Sequence, residues 1–174
     1  MSTPLLLIYG QGGHKTEMSL MLTCLANANK AKASKIYSKA AEIKVITLGP
    51  QPLNSLDGVT QVAHFDGSDV RDKHSRLATM LAIIPHNFLL IFNTLRIYRR
   101  YSLAGVISTG PGLAILPMLI LRLFGVKTVF VETYCRFSTR SMTAKVMSKI
   151  AHRFLVQNKP QMDLYDNAEY CGRL

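Results

Sequence analysis

The sequence predicts an α/β domain built on a doubly wound parallel sheet, and three observations lead there. Short apolar, β-branched runs recur at residues 4–9, 43–48, 59–65, 105–108, 128–131 and 153–156, with helix-forming sequence between them. That alternation is the pattern of parallel strands joined by crossover helices. Glycine-rich turns follow the first and fourth runs, where an open α/β sheet receives its ligands. The chain of 174 residues is long enough to bury one core without disulfides or metal, and short for two domains. The expected fold is therefore a single Rossmann-like domain over 1–174.

The first run ends in residues 10–18, GQGGHKTEM, and leads into helical sequence. A strand that stops at glycines and feeds a helix leaves unsatisfied backbone N–H groups on a concave surface, a setting that suits anions. His14 and Glu17 stand three residues apart at the helix start, so an imidazole and a carboxylate can flank the same pocket. Together with Gly10, Gly12 and Gly13 they point to transfer chemistry on a phosphorylated or sugar-bearing substrate. Each piece also has a plainer reading. The glycines suit a turn with positive φ, His14 suits a cap, and Glu17 suits the first turn of any helix. The conjunction favours the site.

The fourth run enters VISTGPG at 106–112, a second glycine turn ahead of an apolar helix, whose plain reading is an ordinary strand-to-helix connector. The fifth run ends at Glu132, and Arg136 follows four residues later. These supply a carboxylate and a guanidinium at the same sheet edge; taken alone they also read as an exposed ion pair.

Residues 71–101 form the candidate membrane-contacting segment. Leu77, Leu81, Ile84, Phe88, Phe92 and Leu95 recur at helical spacing; Arg71, Lys73 and Arg76 precede them, and Arg96, Arg99 and Arg100 follow. Pro85 and Asn93 argue against a full bilayer span, so the expected form is a kinked amphipathic hairpin dipping into one leaflet, with arginines at the headgroups. A crossover helix covered by the domain or a partner subunit remains open as the other reading.

Composition fits a surface-associated protein. Apolar residues make up 48% of the chain and its net charge is +11, which suits anionic lipid or an acidic partner. No helix-turn-helix, zinc-finger or aromatic-plus-basic RNA signature is present, so nucleic acid is not expected as a partner. Cys24, Cys135 and Cys171 lack any CxxC spacing, and no metal site is expected. The N-terminus has no charged region followed by a small-residue cleavage site, so the expected location is the cytoplasm.

GQGGHKTEM at 10–18, VISTGPG at 106–112, FGVKTVFVE at 124–132 and AEYCG at 168–172 together resemble the PssD family of bacterial polysaccharide glycosyltransferase subunits. That family is similar to the eukaryotic subunit that recruits the second N-acetylglucosamine transferase of dolichol-linked glycan assembly. The resemblance implies the N-terminal, acceptor-side half of a GT-B glycosyltransferase. This half would hold a polyprenyl-diphosphate-linked sugar at the cytoplasmic side of the inner membrane, peripherally or monotopically, for exopolysaccharide or capsule assembly. A separate PssE-like catalytic subunit would bind the UDP-sugar donor, so no cofactor is expected on this chain. The eukaryotic pattern has an N-terminal transmembrane helix that this sequence does not show, so attachment is expected through 77–95 and its arginines or through a partner.

Under this resemblance the reaction is an inverting transfer without metal, in which a base takes the acceptor hydroxyl proton. His14 is the first candidate base, Glu17 the second or its orienter, and Glu132 the third. Backbone N–H groups of Gly12, Gly13, Gly110 and Gly112, with Gly10 and Thr109 in the same turns, are expected to cradle phosphate, and Arg136 to pair with it. Two rival classes stay open. One is a non-catalytic membrane scaffold for a partner enzyme. The other is a stand-alone nucleotide-binding enzyme, against which stand the missing GxGxxG spacing and the absence of an acidic residue after the second run.

Overall fold

A computed structural model describes residues 3–35, 40–67 and 76–173, with 76–86 as backbone only. Among these residues seven strands form one sheet in the order β3-β2-β1-β4-β5-β6-β7, every neighbouring pair parallel. They are β1 (Leu5–Ile8), β2 (Ile43–Gly49), β3 (Val59–Asp66), β4 (Gly105–Ser108), β5 (Thr128–Val131), β6 (Arg153–Val156) and β7 (Ala168–Tyr170). The helices are α1 (Gly13–Lys35), α2 (Arg76–Arg100), α3 (Ile115–Leu123) and α4 (Met142–Ile150). The doubly wound, Rossmann-like sheet is as expected. Only β7 has no counterpart among the anticipated runs.

Alternation along the strands builds two apolar layers, because successive side chains point to opposite faces. Leu6 and Ile8 of β1 join Ile46, Val106, Phe130 and Phe154 under Leu90 and Ile97 of α2, Met118 and Leu121 of α3 and Met147 of α4. Leu7, Tyr9 and Val131 face the other way and pack with Met18, Met21 and Leu22 of α1. Phe130 and Phe154 stack at 5.6 Å between centroids in the first layer. Burying one such ring contributes about 1.5–3 kcal/mol.

Strand order reverses between β1 and β4, which pair from Leu5↔Gly105 to Ile8↔Ser108. Their turns therefore leave the sheet side by side at its switch point, where a crevice opens in folds of this kind. Both glycine turns and the Glu132 loop share that edge.

The segment expected as a kinked hairpin is instead one unbroken helix, α2, running through Pro85. Leu90, Asn93, Thr94 and Ile97, spaced as one helical face, are buried against the rest of the domain. This packing fixes the C-terminal half as a crossover helix between β3 and β4. Asn93 does not meet lipid: its Nδ2 donates to the Asp66 carbonyl at 3.3 Å. Among the described residues no helix is long and apolar enough to cross a membrane. Arg71, Lys73 and the side chains of Arg76, Leu77, Leu81 and Ile84 lie outside the described residues.

Candidate active site

The turn after β1 delivers an imidazole and the turn after β4 receives it. Gly12, at φ +62°, offers its carbonyl to the N–H groups of Lys15 and Thr16 and so opens α1. His14 follows in the first turn, and its Nδ1 lies 2.6 Å from the Thr109 carbonyl oxygen. A carbonyl only accepts, so Nδ1 carries the proton and Nε2 of the neutral ring is left as an acceptor. The Thr109 hydroxyl donates to the His14 carbonyl at 2.8 Å, so one buried threonine ties the histidine at backbone and ring. Gly110, at φ +99°, lies directly against the ring: a Cβ there would sit 3.0 Å from Cε1 and 3.2 Å from Nδ1. Gly10 packs between Pro111 and His14, with a hypothetical Cβ 3.0 Å from the proline Cβ and 3.4 Å from the imidazole Cδ2.

Two buried carboxylates form the wall beside this imidazole. Glu17, 1% exposed, accepts at Oε1 from the Thr133 hydroxyl at 2.8 Å and the Tyr134 N–H at 3.1 Å. Its Oε2 has no hydrogen-bond partner and lies 3.8 Å from His14 Nδ1, an ion-pair distance when the ring is protonated. Glu132, also 1% exposed, accepts at Oε2 from the Ser141 hydroxyl at 3.2 Å, while Oε1 has no partner. Ser141 caps α4 by accepting from the Ala144 N–H at 2.9 Å, which leaves its own proton for Glu132. The plainer readings of these residues as first-turn acid and exposed ion pair do not hold, since both are interior groups.

The titration properties follow from this packing. Glu17, first, and the Thr109 carbonyl hold the His14 imidazole above its ordinary value against the opposing effect of burial, and Glu132 adds to the rise. Burial pushes Glu132 up to about 7, against the Ser141 hydrogen bond and the positive charge of Arg136. A carboxyl near 7 beside a histidine raised above 6.5 is a pair suited to proton transfer at neutral pH.

These groups share a cleft of about 600 Å³, lined by His14, Glu17 and Glu132 together with Gly13, Gly110, Gly112, Arg136, Ser141 and Thr143 among others. Arg136 is exposed, with Nη1 3.4 Å from the Thr139 hydroxyl. Gly10, Gly12 and Thr109 are not among the lining residues: Gly10 and Thr109 seat His14, and Gly12 is an exposed turn residue that opens α1. Among the described residues no cluster of histidine, cysteine and carboxylate side chains has the makings of a metal site. Sequence reasoning missed Ser141, Thr133 and the amides of Gln157, Asn158 and Gln161 that brace the Glu132 loop. Their contacts are long-range pairings that no local spacing announces.

A second region lies apart from the cleft, on the outer surface of α2 and α3. Phe88 is 72% exposed and Phe92 54%, and Arg96, Arg99 and Arg100 are exposed beside them. On α3 and just after it, Leu119, Leu123 and Phe124 are exposed too, and the Phe124 ring stacks on Tyr98 of α2 at 4.6 Å. The α3 contribution was not anticipated.

Residues 5–174 match the family described as oligosaccharide biosynthesis protein Alg14 like. The UDP-N-acetylglucosamine transferase subunit ALG14 of Mus musculus is 24% identical over 182 residues, covering 99% of this chain and 83% of the mouse protein. The protein of the same name from Homo sapiens is 25% identical over 183 residues, with the same coverage. Among solved structures, Acinetobacter baumannii MurG aligns with a TM-score of 0.50 at 12% identity, over 98% of this chain and 43% of MurG. UDP-GlcNAc 2-epimerase from Methanocaldococcus jannaschii aligns with a TM-score of 0.50 at 9% identity, over 92% of this chain and 41% of the epimerase. The chain thus spans less than half the length of these solved structures, and the likeness is one of fold. The motifs, the sheet and the match over nearly its whole length place this chain in the Alg14-like family of oligosaccharide biosynthesis proteins.

Proposed function

We propose that this chain is the acceptor-side half of a split, inverting glycosyltransferase, active with a separate donor-binding subunit. The observation that carries the reading is His14, whose protonated Nδ1 is fixed on Thr109 while Nε2 is left as an acceptor in a cleft at the sheet's switch point. Relatives named as subunits of a UDP-N-acetylglucosamine transferase support the split arrangement. In this reading the acceptor hydroxyl gives its proton to His14 Nε2 and its oxygen attacks the anomeric carbon of the donor sugar. The bond from that carbon to the nucleotide diphosphate breaks, and its electron pair leaves with the diphosphate. Glu17 stabilises the imidazolium that forms.

The finer assignment follows the PssD-like resemblance. The acceptor is a polyprenyl-diphosphate-linked sugar used in exopolysaccharide or capsule assembly, and a PssE-like subunit holds the UDP-sugar. The turns at Gly12, Gly13, Gly110 and Gly112 and the Arg136 guanidinium are the proposed phosphate contacts. The exposed Phe88 and Phe92 with Arg96, Arg99 and Arg100 are the proposed attachment to the cytoplasmic face of the membrane, by apolar burial plus attraction to anionic lipid.

The test is transfer by the reconstituted pair on a lipid-linked acceptor. His14→Ala is expected to lower turnover at least about a hundredfold with the complex intact, the usual scale for loss of an acid–base group. Near-normal turnover removes His14 from the chemistry and favours a scaffold. Replacing Phe88 and Phe92 by serine should abolish sedimentation with anionic vesicles while the fold survives; unchanged sedimentation assigns α2 to a protein contact.

A further inference from the structure

Among the amides that brace the loop after Glu132, Gln161, in the 3-10 turn Lys159–Leu164 after β6, holds it at two carbonyls. Gln161 is 1% exposed. Its Nε2 donates to the carbonyls of Thr133 at 3.0 Å and Arg136 at 2.6 Å. Its Oε1 accepts from the N–H groups of Gln157 at 3.2 Å and Asn158 at 3.1 Å. Those contacts use both protons and both lone pairs of a primary amide. The chemistry is dictated from each side: two carbonyls demand a double donor, and two peptide N–H groups demand a double acceptor. A carboxylate would set oxygen against two carbonyls, and an aliphatic side chain would leave buried backbone groups unpaired.

What Gln161 clamps is the stretch that holds Glu17. Between the Thr133 and Arg136 carbonyls lie the Tyr134 N–H and, on Thr133 itself, the hydroxyl that fixes Glu17 Oε1. Asn158 grips the same stretch through Nδ2 to the Tyr134 carbonyl at 2.7 Å, and Gln157 Nε2 donates to the Glu132 carbonyl at 3.0 Å. From there the Glu17 Oε2 is 3.8 Å from His14 Nδ1.

We propose that Gln161 is a positioning residue for the transfer reaction: it fixes the loop from Thr133 to Arg136 and, through that loop, the place of the Glu17 carboxylate beside His14. The proposal deepens the reading of His14 as base and rests on it, although the wiring is testable without activity. A role confined to stability would move the unfolding midpoint alone. A positioning role also moves the His14 titration, because the charged groups acting on the ring are Glu17 from α1 and Glu132 from the loop after β5, and both favour its protonated form.

The experiment is an NMR titration of the His14 imidazole in the full chain, for wild type, Gln161→Met and Asn158→Ala, with folding checked by circular dichroism and Thr133→Ala as the direct break of the Glu17 contact. Gln161→Met should lower the His14 midpoint by about half a pH unit or more, in the direction expected when a neighbouring carboxylate is released. Asn158→Ala should lower it by less. An unchanged midpoint in folded Gln161→Met overturns the proposal; if that variant does not fold, an unchanged midpoint in Asn158→Ala does so. In the reconstituted pair, Gln161→Met should lower kcat and shift its pH profile with the donor KM retained. A moved midpoint with an unchanged rate leaves the wiring standing but overturns the positioning role of Gln161 in the reaction.

Discussion

The turns at residues 10–13 and 108–112 leave neighbouring strands in the same register, yet Gly12 and Gly13 of the first answer to different constraints from Gly110 of the second. In the first, a Cβ added to Gly12 or Gly13 would meet nothing within 4 Å. In the second, a Cβ on Gly110 would press on the His14 ring at 3.0 Å. One turn opens a helix and presents an imidazole; the other is the surface on which that imidazole rests. Glycine in these turns therefore answers to a left-handed φ, as at Gly12, to open space, as at Gly13, or to close approach by a distant side chain, as at Gly110 and Gly10, and only the last ties a turn to the position of the base.

The sharpest break in that contrast is Gly110→Ala. The left-handed φ of +99° and the contact with the ring act together. Strain of this kind costs about 1–3 kcal/mol, and relief of the clash displaces His14 from Thr109. The expected outcome is a lower unfolding midpoint in urea and transfer reduced by about as much as in His14→Ala. Retention of the wild-type rate by a folded Gly110→Ala would show that the second turn is not the seat of the base.

Next in size is Glu132→Gln, which separates the two wall carboxylates. Glu17 has bonds from a hydroxyl and a peptide N–H, whereas Glu132 has the Ser141 hydroxyl alone and sits at about 7 because of burial. The folded value lies above the unfolded 4.5, so the native state holds a proton that the unfolded chain has lost, and stability attributable to this group falls as pH rises from about 4.5 to 7. Glutamine removes that loss and keeps an acceptor for Ser141. Its stability relative to wild type should rise with pH across this window and level off above it, by up to about 3 kcal/mol. Urea unfolding of both proteins at pH 5 and pH 8 checks this; a difference independent of pH contradicts the raised value of Glu132 in the fold.

Six strands were legible because their β-branched runs are bounded by turn residues, and three of them, Gly105–Ser108, Thr128–Val131 and Arg153–Val156, have the expected bounds. β7 was not, because Ala168–Tyr170 is short and mostly exposed and carries no alternation to read. The pairing of His14 with Glu17 was legible from helical spacing, since residues three apart share a face. That Glu132 lies in the same cleft was readable only as far as the sheet edge, because parallel strands put their ends together. The tie from His14 to Thr109, and from Gln161 to the Glu132 loop, join residues far apart in sequence; polar side chains of these types are common, and nothing local marks the few that are buried and paired. The partner of Asn93 was hidden for the same reason: the sequence shows a polar residue in an apolar helix but not the carbonyl on β3 that it bonds.

The smallest expected effect on the fold is that of Gly13→Ala, and it tests the other half of the contrast. Gly13 lines the cleft, is not in the left-handed region, and has open space where a methyl would go. As the first residue of α1 it has helical backbone, so alanine should leave stability unchanged or raise it by up to about 1 kcal/mol, by restricting the unfolded chain. If that space exists to let phosphate approach the backbone, the same methyl should raise the acceptor KM in the reconstituted pair, on the order of tenfold for one group in a contact surface, with kcat preserved. An unchanged KM would mean that the ligand does not touch the first turn at Gly13, and phosphate recognition would then fall to Gly110, Gly112 and Arg136.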